Sequence, residues 1–195
     1  MLEPDRMNAI VVYESVYGNT RDVAAAIAAG LGIVPVLSVT NAQAYDGNPD
    51  LIVVGGPTHI HGLTSKRSRQ AAVDSALTPV EPSARDGLGV RDWLHDLKRV
   101  DGLPAAAFDT RADNHEVFTG AASRGIARRL RHHGYNVIDT ASFLVADTAG
   151  PLLEGELDRA RAWGAHLADL IAQAGESSPS TSRSTPDSSS LKPVR

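Results

Sequence analysis

Cysteine is absent from all 195 residues, which excludes disulfides, thiolate metal sites and cysteine nucleophiles and leaves the compartment undetermined by redox logic. No stretch approaches the ~20 apolar residues of a membrane-spanning helix, so no membrane span is expected. The opening MLEPDRMN has no apolar run behind a basic region and does not read as a secretory leader. A cytoplasmic location is the default, with Met7 as good a start as Met1. Neither sign of charge dominates: the formal net charge is −4, which gives no electrostatic reason to expect nucleic acid as a partner. Several motifs are missing as well. Without GxxxxGK(S/T) there is no NTP-binding P-loop. Gly30 and Gly32 do not open a helix and lack the remaining glycine of GxGxxG. No GxSxG marks a serine-hydrolase elbow.

The histidines invite a metal reading, through His59-x-His61 and through Asp109, Asp113, His115 and Glu116. No HExxH accompanies them, and first-row metal sites need three or more convergent ligands. No metal is expected. The basic run Arg124, Arg128, Arg129 and Arg131 has no interleaved aromatics of the kind nucleic-acid surfaces carry.

What is present is a chain that is 42% hydrophobic, enough for one domain with a sizeable core. Apolar runs at 8–13, 33–39, 50–55, 103–110 and 135–145 read as strands. Helical periodicity appears at 19–31, 89–99, 120–132 and 153–172. Strands that are apolar without alternation, separated by helices, imply an α/β fold: a doubly wound five-stranded parallel sheet with helices on both faces. Five strands suit the order 2-1-3-4-5, in which ligands bind beyond the carboxyl ends of the first and third strands, where strand order reverses. Residues 1–7 are expected to be a flexible N-terminus and 8–172 the domain. Residues 173–195, rich in Ser, Thr and Pro, have too little to bury and are expected to form a disordered tail.

The loop after the first strand is Glu14-Ser15-Val16-Tyr17-Gly18-Asn19-Thr20. Hydroxyls flank a glycine, and the amides of a helix start follow it. That combination makes a phosphate site without lysine or arginine. The plainer alternative is an ordinary helix cap, which needs only one hydroxyl.

SVYGNT between a strand and an amphipathic helix resembles the phosphate-binding loop of flavodoxins. The similarity extends to DLIVVGGPTHIHG and to AAAFDTRADNHEVFTGAA. It covers most of residues 8–172 and also takes in the related quinone reductases of the tryptophan-repressor-binding-protein type. The resemblance implies a flavodoxin-like fold and non-covalently bound FMN. It implies that Ser15, Val16, Tyr17, Gly18, Asn19 and Thr20 hold the FMN phosphate. Pro57, Thr58, His59, Ile60, His61 and Gly62 would then line one side of the flavin ring, and Asp109, Thr110 and Arg111 the other. His115 falls near the position of a ring-stacking tyrosine.

Three departures from the family stand out. His59 and His61 replace the expected aromatic stackers, and Tyr17 replaces a threonine. TSKRSRQ would set Lys66, Arg67 and Arg69 beside a ring that electron-carrier flavodoxins surround with acids. That run reads either as a basic rim for an acidic partner or nucleotide phosphates, or as a solvated charge run. Three functions follow from the resemblance: an electron carrier between redox partner proteins, an FMN-dependent NAD(P)H:quinone-type oxidoreductase, or a flavin-free interaction protein of the same fold.

Overall fold

The computed structural model describes residues 7–59, 62–112 and 120–176. The unalternating apolar runs form the inner strands β1 (Ala9–Tyr13), β3 (Leu51–His59) and β5 (Pro104–Ala112). Val11, Val12, Val53, Val54 and Phe108 on them have no exposed surface. The outer strands β2 (Val36–Ser38) and β6 (Asn136–Val145) are only partly buried, as sheet edges are. All four pairings among these five strands are parallel, in the order β2-β1-β3-β5-β6. Counted among the parallel strands alone this is 2-1-3-4-5, the order the strand pattern implies. A two-residue strand, β4 (Gly62–Leu63), folds back antiparallel onto the end of β3.

Alternate strand residues feed opposite cores. Val11, Val53 and Phe108 pack with α1 (Asn19–Gly30) and α7 (Glu156–Glu176) on one face. Val12, Val54 and Ala107 pack with α2 (Val39–Ala42), α5 (Val90–His95) and α6 (Ala122–His132) on the other. The first pair of helices meets backbone to backbone. A Cβ on Gly30 would lie 2.0 Å from the Arg161 carbonyl oxygen, and one on Gly164 would lie 2.2 Å from that of Ile27. Glycine on both helices is what lets α7 lie directly on α1. No helix among the described residues is long and apolar enough to cross a membrane.

The connection after β3 differs from the sequence reading. TSKRSRQ is not a loop but the start of α3 (Lys66–Asp74), followed by α4 (Pro82–Asp86). Ser65 caps α3 by accepting from the Ser68 amide at 3.2 Å, while Ser68 Oγ accepts from the Ser65 amide at 2.8 Å. Helix α5 stops at His95, short of the expected 99, because the chain turns back to β5: the Val100 amide donates to the His133 carbonyl at 2.9 Å. Helix α7 continues to Glu176, so residues 173–176, expected at the head of the tail, are helical. Met7 packs on the α1-side core.

Candidate functional site

Pairing with β3 persists one residue past β1, where the Glu14 amide donates to the Gly55 carbonyl at 3.0 Å. The chain then turns at Gly18, whose φ of +92° lies in the left-handed region that favours glycine. Ser15 Oγ accepts from the Gly18 amide at 3.1 Å, which still leaves its own O–H free to donate. Among the described residues, no side-chain hydrogen bond caps the first turn of α1. Its leading amides, at the positive end of the helix dipole, therefore offer donors to an outside acceptor. Thr20 points elsewhere: its hydroxyl pairs with that of Thr110 at 2.7 Å, buried between α1 and β5. The two hydroxyls that flank Gly18 in sequence thus do different work.

Beside this turn lies a cavity of about 400 Å³ at the carboxyl ends of the strands, where the order of the sheet reverses. It gathers most of the residues singled out from the sequence. Ser15, Val16, Tyr17, Asn19 and Thr20 come from the first loop, Pro57, Thr58 and His59 from the end of β3, and Thr110 and Arg111 from the end of β5. Gly18 sets the turn behind them, and Gly62 begins β4 beyond the rim. Asp109 is fully buried beneath the wall, where Oδ2 accepts from the Ser123 amide at 2.8 Å and Oδ1 has no partner among the described residues. Thr58 also serves α6, its hydroxyl accepting from the Ala122 amide at 2.9 Å. Together they cap a helix whose own N-cap, Ala121, has no side chain to do so. Ile60, His61 and His115 lie outside the described residues.

Several lining residues escaped the sequence reading. Ser68, Ala71, Ala72 and Ser75 of α3 and its C-cap form a whole wall with Arg69, which the sequence reading sets beside the ring. Tyr17, read as a phosphate-loop residue, reaches across and donates from its hydroxyl to the Ala72 carbonyl at 3.2 Å. Thr148 enters from the loop after β6, which Asn19 ties down by donating to the Ala149 carbonyl at 3.1 Å.

Below this wall sits Glu14, only 4% exposed. Oε1 accepts from the Thr64 hydroxyl, and Oε2 accepts from the Val90 amide at 2.7 Å. The buried Arg69 guanidinium stands 4.0 Å from Glu14 Oε1 and 3.3 Å from Asp92 Oδ2. Burial pushes the Glu14 carboxyl above the usual range; the bonds from Thr64 and Val90 and the charge of Arg69 oppose this only in part. Lys66 and Arg67 are exposed, whereas Arg69 is turned inward. The basic run is therefore divided between solvent and core.

A doubly wound parallel sheet with a loop-built cavity at its switch point defines the flavodoxin fold, and solved structures agree. The chain is similar to a flavodoxin WrbA-like protein from Agrobacterium tumefaciens (TM-score 0.52, 19% identity, covering 86% of this chain and 98% of that one). It is similar to flavodoxin 2 from Bacillus cereus (TM-score 0.52, 18% identity, 86% and 99%). A flavodoxin from Streptococcus pneumoniae TIGR4 gives a TM-score of 0.53 at 17% identity, covering 83% and 98%. No family model matches the chain, and no curated protein does.

Proposed function

We propose that this chain binds FMN non-covalently in the cavity and carries electrons between redox partner proteins. The observation that carries the reading is the uncapped start of α1 beside a cavity of about 400 Å³ at the sheet's switch point, a volume within the roughly 300–1,000 Å³ of small-molecule sites. The residues present fit the group. The α1 amides and the Ser15 hydroxyl suit a phosphate. Pro57, Thr58 and His59 of β3 line the cavity beside Thr110 and Arg111 of the neighbouring strand β5, and would offer their side chains to the ring. Bound there, FMN supplies one- and two-electron chemistry.

The protein's part is to hold, orient and shield the group. Gly18 aims the phosphate donors, α3 and Tyr17 close one side against water, and the Thr20–Thr110 pair fixes the distance between α1 and β5. Titrating the purified chain with FMN and recording the visible spectrum and the quenching of flavin fluorescence tests the reading. Saturable one-to-one binding is expected. A chain that stays colourless and leaves FMN fluorescence unchanged sinks it and leaves the flavin-free interaction protein.

A second reading, an FMN-dependent NAD(P)H:quinone-type oxidoreductase, is favoured by one specific feature. The described lining contains Arg69 and Arg111 and no carboxylate, unlike the acid-rimmed ring of electron-carrier flavodoxins. Steady-state NADPH oxidation with a quinone acceptor separates the two; no turnover with NADH or NADPH excludes the reductase.

A further inference from the structure

Among the described residues the cavity is lined by hydroxyls, apolar groups, His59 and two arginines. The charge of Arg69 is answered by Asp92 and Glu14. The charge of Arg111 is not: it enters no ion pair among the described residues. Its Nε is buried and donates to no group among the described residues. A buried, charged donor without an acceptor is costly and rare in a folded protein. Among the described residues, the carboxylate nearest in sequence on the same face of β5 is Asp109, two residues earlier. It is fully buried, lies outside the lining and bonds the first turn of α6. A cation at the wall of a cavity whose described lining holds no carboxylate fits a ligand that bears negative charge at that wall.

The geometry points to Arg111 as the residue that recognises negative charge at the ring end of the cavity, so that the site holds reduced FMN more tightly than oxidised FMN. This rests on the FMN reading. On reduction the ring takes up two electrons from the donor, dithionite in the test below, and one proton from water. It therefore gains one negative charge, which the phosphate end does not share. A group that meets this charge binds the reduced form preferentially, and by linkage the preference appears as a raised potential.

The test uses the full chain at mildly alkaline pH. FMN affinity is measured once in air and once after reduction by dithionite under nitrogen, for the wild type, Arg111→Gln and Arg111→Lys. The wild type is expected to prefer reduced FMN by roughly tenfold, the worth of a hydrogen bond to a charged group. That ratio corresponds to a potential about 30 mV above free FMN for a two-electron couple. Arg111→Gln should lower the affinity for reduced FMN roughly tenfold more than that for oxidised FMN and so abolish the preference, and Arg111→Lys should keep most of it. Equal losses for both forms in Arg111→Gln, or a wild type that prefers oxidised FMN, overturn the inference and leave FMN binding standing. No binding of either form overturns both. Should Arg111→Gln fail to fold, the wild-type ratio and Arg111→Lys decide.

Discussion

Gly18→Val tests the turn on which the phosphate reading depends. The φ of +92° and ψ of −24° at this position lie beyond the centre of the left-handed region, where an L-residue already costs roughly 1–2 kcal/mol. A β-branched side chain raises that to roughly 2–3 kcal/mol. Steric room is a lesser matter, because a Cβ here would meet Arg21 Nη2 at 3.2 Å and Glu81 Oε1 at 3.5 Å, both ends of flexible side chains. The strain has two outlets. If the turn holds, the whole cost falls on stability and the midpoint of thermal unfolding drops by about 5–10 °C. If the turn flips to negative φ, the Gly18 amide leaves Ser15 Oγ, the leading amides of α1 swing away and FMN affinity falls by roughly 10–100-fold. Gly18→Asn is the control: asparagine tolerates this region and should lose less than about 1 kcal/mol. Differential scanning fluorimetry and FMN fluorescence quenching read both outlets. A valine variant with wild-type melting and wild-type affinity refutes the argument. So does an asparagine variant that is equally damaged, since size and not φ would then be at fault.

Thr110→Val strands the buried Thr20 hydroxyl and should cost about 1–3 kcal/mol; the double variant with Thr20→Val should recover part of it in urea unfolding, as a coupling between the two. Because burial raises the Glu14 carboxyl, wild-type stability should fall as pH climbs from the unfolded carboxyl range through the raised folded value. Glu14→Gln should flatten that fall in a pH series of denaturation curves. Glu156 acts with the opposite sign. Burial pushes its carboxyl up, but the bonds from Arg159 and the Leu144 amide together outweigh this and hold it low. Its stabilisation is present above the unfolded value and is lost as pH falls through the folded one, so Glu156→Gln should remove acid-side loss only. Ile33 is a β-branched residue at φ +66° and is 80% exposed, so Ile33→Asn should stabilise the fold by about 1 kcal/mol, read as a rise in melting midpoint.

The sheet could be read from the sequence because strands buried on both faces leave an unbroken apolar signature, as IVV in β1 and LIVV in β3 do. The turn of the first loop could be read because it demands a glycine, and Gly18 takes it at φ +92°. Helix α3 could not. Its capping box pairs Ser65 with Ser68 in place of the usual acidic or amide partner. Its cavity wall is Ser68, Ala71 and Ala72, too weakly apolar to show a helical stripe. Arg69 was hidden for another reason: a buried arginine looks like a surface one until its acids are known, and Asp92 is 23 residues away. Thr58 and Asp109 were visible as site residues but not as the cap of α6, since Ala121 gives no hint that its helix is capped from two strands.

These hidden contacts bear on how the site is built. The Glu14 carboxylate receives Thr64 from beyond β4, Val90 from the start of α5 and the approach of Arg69 from α3. Three segments remote in sequence from Glu14 thus converge on the residue that opens the first loop. Charge is expensive to bury, and a buried carboxylate stripped of its partners costs about 3–5 kcal/mol. The partners are therefore held in place by the carboxylate as firmly as they hold it. Since Arg69 belongs to α3, the wall facing the cavity is registered against β1 through that charge rather than through apolar packing, of which α3 buries little. The same arrangement explains why one cation of the described lining remains unanswered. Arg69 neutralises the carboxylates behind the wall, and Arg111 at the end of β5, with no acid paired to it among the described residues, is left to confront whatever the cavity holds.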